Sequence, residues 1–197
     1  TTGYLEHAGT VTFQATAGIY ISADGVGGAN TNNVHLYVSD GTLTVAPAKH
    51  FKSGNGLLKI SADDVDFQGG VGTGTGSGEI VVPQNDRTIG LGSTAKDMHI
   101  SGSELWSITA TGATIGSGVN GDITVNGITA HHSNSVSGIL SLVATRSNKK
   151  VEFVTASSTF NALYATGDTV KVTLVDVTTD IGSLEFDGVD STDIDSS

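Results

Sequence analysis

The chain repeats a short alternation of apolar residues with Thr, Ser or charged residues, and each copy follows a turn residue. The copies that begin at glycine are GTVTF from Gly9, GTLTV from Gly41, GLLKI from Gly56, GEIVV from Gly78, GDITV from Gly121, GILSL from Gly138 and GSLEF from Gly182. Looser copies begin at Asp97 (DMHIS) and Asp168 (DTVKVTL). Alternation at period two is typical of a strand with one buried face. Phrases that recur roughly every 20 residues indicate stacked coils.

The alternation predicts about twelve strands and no long helix. The strands fall near residues 9–23, 33–46, 56–68, 78–82, 97–101, 108–115, 121–130, 138–145, 150–155, 161–166, 169–177 and 181–187. The best helical candidate is a single turn at residues 103–106, short enough to be 3₁₀. The sequence therefore predicts an all-β protein.

Two all-β architectures fit this pattern. A β-sandwich or jelly roll would join antiparallel strands by two-residue turns. A parallel β-helix, or β-solenoid, would stack strands in parallel around inward apolar columns, with Gly or Asn at corners that need positive φ. The 27 Gly and 10 Asn residues, and only two prolines, each just after a strand, favour the solenoid.

The solenoid hypothesis predicts which residues share the interior and where the domain ends. The positions expected to stack inside are Ile123, Val125, Leu140, Leu142, Val151 and Phe153. Residues 1–186 would form one solenoid domain, a unit of a longer repeat array, and residues 187–197 an acidic linker or inter-repeat contact. A rod of about ten rungs would span roughly 45–50 Å.

Composition and charge exclude several classes of function. Gly, Ser, Thr, Asn and Asp account for 99 of the 197 residues, which suits short strands and tight turns. A net charge of −11 without a basic patch argues against nucleic-acid binding. No apolar run approaches 18 residues, so no membrane insertion is expected. The absence of Cys excludes disulfides and thiolate metal sites.

The order of several phrases resembles one unit of the filamentous-haemagglutinin-like β-strand repeats of giant secreted surface proteins. The matching stretches are residues 56–69, 87–92, 97–109, 121–129, 140–145, 151–153 and 158–163. This resemblance implies a secreted right-handed parallel β-helix that serves as a stalk or adhesin at the cell surface. It supplies no catalytic motif. Trp106 departs from the pattern, because such repeats tend to place a smaller or polar residue there.

Motifs for enzymatic chemistry are weak, and no catalytic residue is predicted. Residues 90–95 form a G-x-G-x-x-A string, but strand alternation resumes after it, where a dinucleotide site needs a helix. A β-helical polysaccharide hydrolase or lyase would need convergent carboxylates. Asp63, Asp64 and Asp66 form an acidic trio, of which only Asp64 and Asp66 share a strand face. No arginine is near the trio in sequence, and solvated turn carboxylates are the simpler interpretation.

Two further groups could bind a ligand or an ion. His131 and His132 are adjacent and would point to opposite faces of a strand, so a solvated loop is favoured over a metal site. The best candidate for a cation site is a set of carboxylates in the acidic tail, where oxygen ligands could bind Ca²⁺ and promote end-to-end association. They are Asp187, Asp190, Asp193 and Asp195. A flexible acidic linker to the next repeat is nevertheless the favoured interpretation of this segment.

The leading functional hypothesis is a structural module of an extracellular fibre, stalk or adhesin. Its partners would be identical or related repeats joined end to end, because an open solenoid leaves sheet edges at both ends. The runner-up is a carbohydrate- or surface-binding module with an exposed aromatic or acidic groove, in which Trp106 would contact surface glycans. Inward packing is, however, the commoner fate of a tryptophan in a β protein. A polysaccharide-cleaving enzyme ranks third.

Overall fold

The computed structural model describes residues 3–5, 9–27 and 31–195, and helices make up 5% of it. The strands of this part of the chain are β1 (Gly3–Leu5), β2 (Val11–Ala15), β3 (Ile19–Ile21), β4 (Gly25–Gly27), β5 (Val34–Val38), β6 (Thr42–Val45), β7 (His50–Lys52), β8 (Leu58–Ser61), β9 (Asp64–Phe67), β10 (Gly70–Gly72), β11 (Gly78–Val81), β12 (Ile89–Gly92), β13 (Met98–Ile100), β14 (Ile108–Thr109), β15 (Ala113–Ser117), β16 (Ile123–Asn126), β17 (Leu140–Ala144), β18 (Lys150–Phe153), β19 (Ser158–Phe160), β20 (Leu163–Thr173), β21 (Val177–Thr179) and β22 (Leu184–Asp195). The helices are α1 (Gly102–Trp106) and α2 (Ala130–Ser133). Within the described ranges, no helix is long and apolar enough to cross a membrane.

The strands form a β-solenoid of about 8 turns, in which all pairs between the described strands are parallel. The first face stacks β2, β5, β8, β11, β15, β17 and the first halves of β20 and β22. The second face contains β3, β6 and β9, and then β13, β12, β16, β18 and the second halves of β20 and β22. The third face begins with β1, β4, β7, β10 and β14. The solenoid prediction is confirmed, whereas the sandwich alternative and the estimate of ten rungs are wrong.

The interior consists of apolar ladders that run along the solenoid axis. One inward register on the first face joins Phe13, Leu36, Ile60, Ile80, Ile115, Leu142, Ala165 and Phe186. All six positions predicted to stack inside are buried, and Ile123 and Val125 pair with Val151 and Phe153. Each such side chain contributes about 1.5–3 kcal/mol when fully buried.

The fourth coil is longer than its neighbours because it carries an additional strand and a helix. The coil from Leu58 to Gly78 takes 20 residues, but the next one, from Gly78 to Ala113, takes 35. The added residues form β13, which pairs with β12, and α1. The helical turn predicted at residues 103–106 is confirmed. Strand β12 was missed, because its sequence Ile-Gly-Leu-Gly has little strand propensity.

Two carboxylates join the second face where its ladder is interrupted between β9 and β13. The Asp64 Oδ1 atom accepts a hydrogen bond of 2.8 Å from the His99 amide of β13. The Glu104 Oε1 atom, from α1, accepts one of 3.3 Å from the Phe67 amide of β9. Side chains therefore satisfy backbone donors that a continuous parallel ladder would otherwise pair.

The predicted domain boundary at residue 187 falls inside a strand. Strand β22 pairs with β20 from Leu184 to Asp195, with one irregularity between Gly167 and Thr169 of β20. The acidic segment up to Asp195 is therefore the last described rung of the solenoid, and residues 196–197 lie outside the described ranges.

Candidate functional site

The two ends of the solenoid expose positions that are buried elsewhere in the same ladders. Among the described strands, β22 pairs only with β20 and β2 only with β5. Ile194 of β22 is 64% exposed and Phe13 of β2 is 37% exposed, whereas Leu36 and Leu142 inside the Phe13 ladder are buried. In the described part of the chain, each end therefore has a strand paired on one side only, next to a partly exposed ladder residue.

The four carboxylates predicted to bind Ca²⁺ lie along β22 on the exposed C-terminal rung. Tyr164 donates a 2.9 Å hydrogen bond to Asp187, and this bond raises the pKa of Tyr164. Asp193 is in register with Lys171 on the adjacent strand. Among the described residues, no three His, Asp or Glu side chains come close enough to hold a metal ion.

The acidic trio is part of the framework of the solenoid. Asp63 is only 5% exposed, accepts a hydrogen bond of 3.1 Å from the Gly41 amide, and forms an ion pair of 3.0 Å with Arg87. Asp66 accepts a hydrogen bond from Gln68, and Asp64 binds the His99 amide. For Asp63, the prediction of a solvated turn carboxylate is wrong, because the fold brings a sequence-distant arginine beside a buried position.

The histidine pair lies in a helix and not in the predicted loop. His131 and His132 belong to α2, which packs against α1 of the preceding coil. The His131 ring stacks on the Trp106 indole with a centroid distance of 4.1 Å and an interplanar angle of 25°. Stacking between neighbouring coils therefore determines where the Trp106 side chain lies, and the residue is still 46% exposed.

Trp106 lines a lateral cleft of about 610 Å³ on the third face. The other lining residues are Ala48, Lys49, His50, Gln68, Gly69, Gly70, Ser107, Thr109, Asn134 and Ser135. A smaller cleft of about 210 Å³ shares His50, Gly70 and Thr109 with it and is also lined by Lys52. We call these two clefts together the lateral groove.

A tight turn and two glycines position the basic side of the lateral groove. The Lys49 amide donates to the Ala46 carbonyl across a turn in which Ala48 has a φ of 57°. The Gly70 amide donates to the Lys49 carbonyl at 2.8 Å, and a Cβ on Gly69 would collide with that carbonyl. A Cβ on Gly70 would lie 2.6 Å from the His50 ring. The paired glycines therefore let the turn and the imidazole lie directly on the next coil.

The charges around the lateral groove differ from those of the whole chain. No Asp or Glu is among the lining residues of either cleft, although the chain has 20 acidic and nine basic residues. Within the described part of the chain, neither Lys49 nor Lys52 forms an ion pair. The basic residues that do are Lys59, Arg87, Arg146, Lys149 and Lys150. Three carboxylates flank the lining: Asp66 accepts a hydrogen bond of 2.7 Å from the Gln68 amide group and Asp180 one of 3.2 Å from the Asn134 amide group. Asp24 accepts one of 2.9 Å from the His50 backbone amide and lies 3.8 Å from the His50 imidazole.

The sequence pointed to Trp106 but not to the residues around it. Lys49 and His50, Gly70, and Asn134 come from three different coils, and no local motif connects them. Comparisons with protein-family models, with curated proteins and with solved structures find no match. The fold and these two features, the open ends and the lateral groove, therefore carry the functional argument.

Proposed function

We propose that the chain is a structural module of an extracellular fibre, stalk or large adhesin. In this proposal it assembles end to end with identical or related repeats, as the resemblance to filamentous-haemagglutinin-like repeats also suggests. The observation that carries the proposal is the pair of ends, each of which presents, among the described strands, one strand with a neighbour on one side only and an exposed part of an interior ladder.

Stacking the C-terminal end of one copy on the N-terminal end of the next would continue both features. Phe186 and Phe13 occupy the same ladder, so a continued solenoid places Phe186 of one copy against Phe13 of the next. The strands would remain parallel and the free backbone groups of β22 would gain partners. Because the two ends are different surfaces, the contact is head-to-tail and produces open filaments, not closed dimers.

The proposal assigns no catalytic role to the acidic trio. Asp63, Asp64 and Asp66 are each engaged by another group of the solenoid, as the contacts with Arg87, the His99 amide and Gln68 show. A carboxylate that acts as general acid or base must reach the substrate. The engagement of these side chains supports a framework role.

Substitution at the C-terminal end tests the proposal. We expect the wild-type chain to form concentration-dependent linear oligomers in sedimentation velocity and electron microscopy. Ile194→Lys should reduce this association at least tenfold, because it places a charge on the apolar end. Ile139→Lys is the matched control, because Ile139 is 47% exposed at the end of the fifth coil, away from both ends of the solenoid. This substitution should leave association unchanged.

Two results would contradict this proposal. One is a chain that stays monomeric at millimolar concentration. The other is a dimer that does not grow, which would indicate pairing between two copies of β22 instead of head-to-tail stacking. Circular dichroism and melting temperature of each variant separate loss of association from loss of folding.

A further inference from the structure

We infer that the lateral groove is a binding site for an oligosaccharide that carries acidic groups, either carboxylates or sulfates. This inference is independent of end-to-end assembly, because the groove lies on the third face of the solenoid, lined by residues of the second to fifth coils. Its combined features are an exposed indole, two lysines without ion pairs in the described part of the chain, a histidine and two side-chain amides. The volume of about 610 Å³ for the larger cleft is in the usual range for small-ligand sites.

The charge of the lining selects for an anionic ligand. Lys49 and Lys52 contribute two ammonium groups without ion-pair partners among the described residues, and no carboxylate lines either cleft. His50 lies between Lys49 and Lys52 in the sequence and lines both clefts. An acidic chain repels anions over most of its surface. A groove lined by two lysines that have no ion pair among the described residues, and by no carboxylate, attracts an anion instead, although Asp24, Asp66 and Asp180 contact its lining residues from outside.

The aromatic and amide groups select for a sugar. The exposed part of the Trp106 indole offers an apolar face with its orientation held by the His131 stack, and a sugar ring presents a complementary face of C–H groups. The amide nitrogens of Gln68 and Asn134 donate to Asp66 and Asp180. Their amide oxygens are then oriented as acceptors for sugar hydroxyls.

The chain contains a natural reporter for this site. Trp106 is the sole tryptophan, so its fluorescence reports on the lateral groove alone. We expect tetragalacturonate or a sulfated carrageenan tetrasaccharide to change the emission with a saturable dissociation constant below about 1 mM, a weak but specific affinity. Maltotetraose, of the same length but uncharged, should bind at least tenfold more weakly. Comparison of the two acidic probes distinguishes carboxylate from sulfate recognition.

Variants separate the contributions of charge and stacking. Lys49→Gln combined with Lys52→Gln should weaken binding of the acidic probes at least tenfold and leave binding of maltotetraose unchanged. Lys96→Gln is the matched control, because Lys96 is exposed and lies in the loop between β12 and β13. Trp106→Ala should weaken binding of the acidic probes at least tenfold. Because this variant lacks the fluorescent reporter, its binding is measured by isothermal titration calorimetry. Tyr20→Ala, at an exposed aromatic residue of the first coil, should have no effect.

Three outcomes would overturn the inference: no saturable signal with any probe at 10 mM, equal affinity for maltotetraose and the acidic probes, or equal effects of the groove variants and their controls. Added salt provides a further check, since 0.5 M NaCl should weaken binding of the acidic probes at least fivefold by screening. Binding that does not respond to salt would also contradict a site built on Lys49 and Lys52.

Discussion

At the scale of single residues, the structure separates side chains that look alike in the sequence. Asp63 and Asp66 lie three positions apart in one acidic trio, yet Asp63 is buried beside Arg87 and Asp66 lies on the outer face of β9. An unpaired buried charge is far more costly than the loss of an exposed one. Substitutions at the two positions should therefore change the stability of the protein by different amounts.

Asp63→Ala should destabilise the protein by about 2–3 kcal/mol, because it removes an acceptor from the Gly41 amide and leaves Arg87 without its partner. Asp66→Ala should change stability by about 0.5 kcal/mol or less. Urea unfolding measures both values, and neither variant should alter the turnover of any polysaccharide. Equal costs at the two positions, or an activity lost in Asp64→Ala, would contradict the framework role.

At the scale of elements, one glutamate of α1 both caps its own helix and hydrogen-bonds to strand β9. Glu104 completes the capping box of α1 by accepting hydrogen bonds from the Ser101 amide (2.8 Å) and hydroxyl (2.7 Å). Its other oxygen accepts from the Phe67 amide in β9. A helix of five residues has little stability of its own, so these bonds and its packing hold it in place.

Glu104→Ala should therefore lower the free energy of unfolding by about 2 kcal/mol and the melting temperature by roughly 4–8 °C, because it leaves the Ser101 and Phe67 amides without acceptors. Glu104→Gln should recover part of the loss, because glutamine also completes a capping box. Ser103→Ala, at the exposed neighbouring position, is the control and should lower the free energy of unfolding by about 0.5 kcal/mol or less. A Glu104→Ala variant as stable as Ser103→Ala would show that the capping and bridging bonds contribute little.

At the scale of the whole molecule, the register of the ladders specifies how two copies would meet. Thr12 and Glu185 occupy the two ends of one outward-facing register on the first face. In a continued solenoid they would be direct neighbours in adjacent parallel strands, at a Cα separation compatible with a disulfide. A stack of this kind would repeat along its axis about every 40 Å.

The absence of native Cys makes this register testable. Thr12→Cys combined with Glu185→Cys should produce a ladder of covalent oligomers on mild oxidation. Thr12→Cys combined with Thr114→Cys should not extend beyond a dimer, because Thr114 lies in the middle of the same register. Cross-linking at equal rates in both double variants would indicate random collision and would contradict a continued solenoid.

The sequence by itself determined the strands and the apolar columns, because period-two alternation is a local property that decides which side chains can be buried together. The spacing of the repeated phrases along the chain was less informative about the number of coils. The phrases at Gly56 and Gly138 begin strands of the first face, whereas those at Gly41 and Gly121 precede strands of the second. Two phrases can therefore belong to one coil, which explains the overestimate of ten rungs.

Only the tertiary structure decided which residues meet across coils. Neighbours along the solenoid axis are 20 to 35 residues apart in the chain in the third and fourth coils, and this spacing changes where β13 and α1 are added. No fixed sequence interval therefore connects Arg87 with Asp63, or Lys49 and His50 with Trp106 and Asn134. The buried ion pair and the lateral groove depend on the length of each turn, because turn length sets which outward side chains lie side by side.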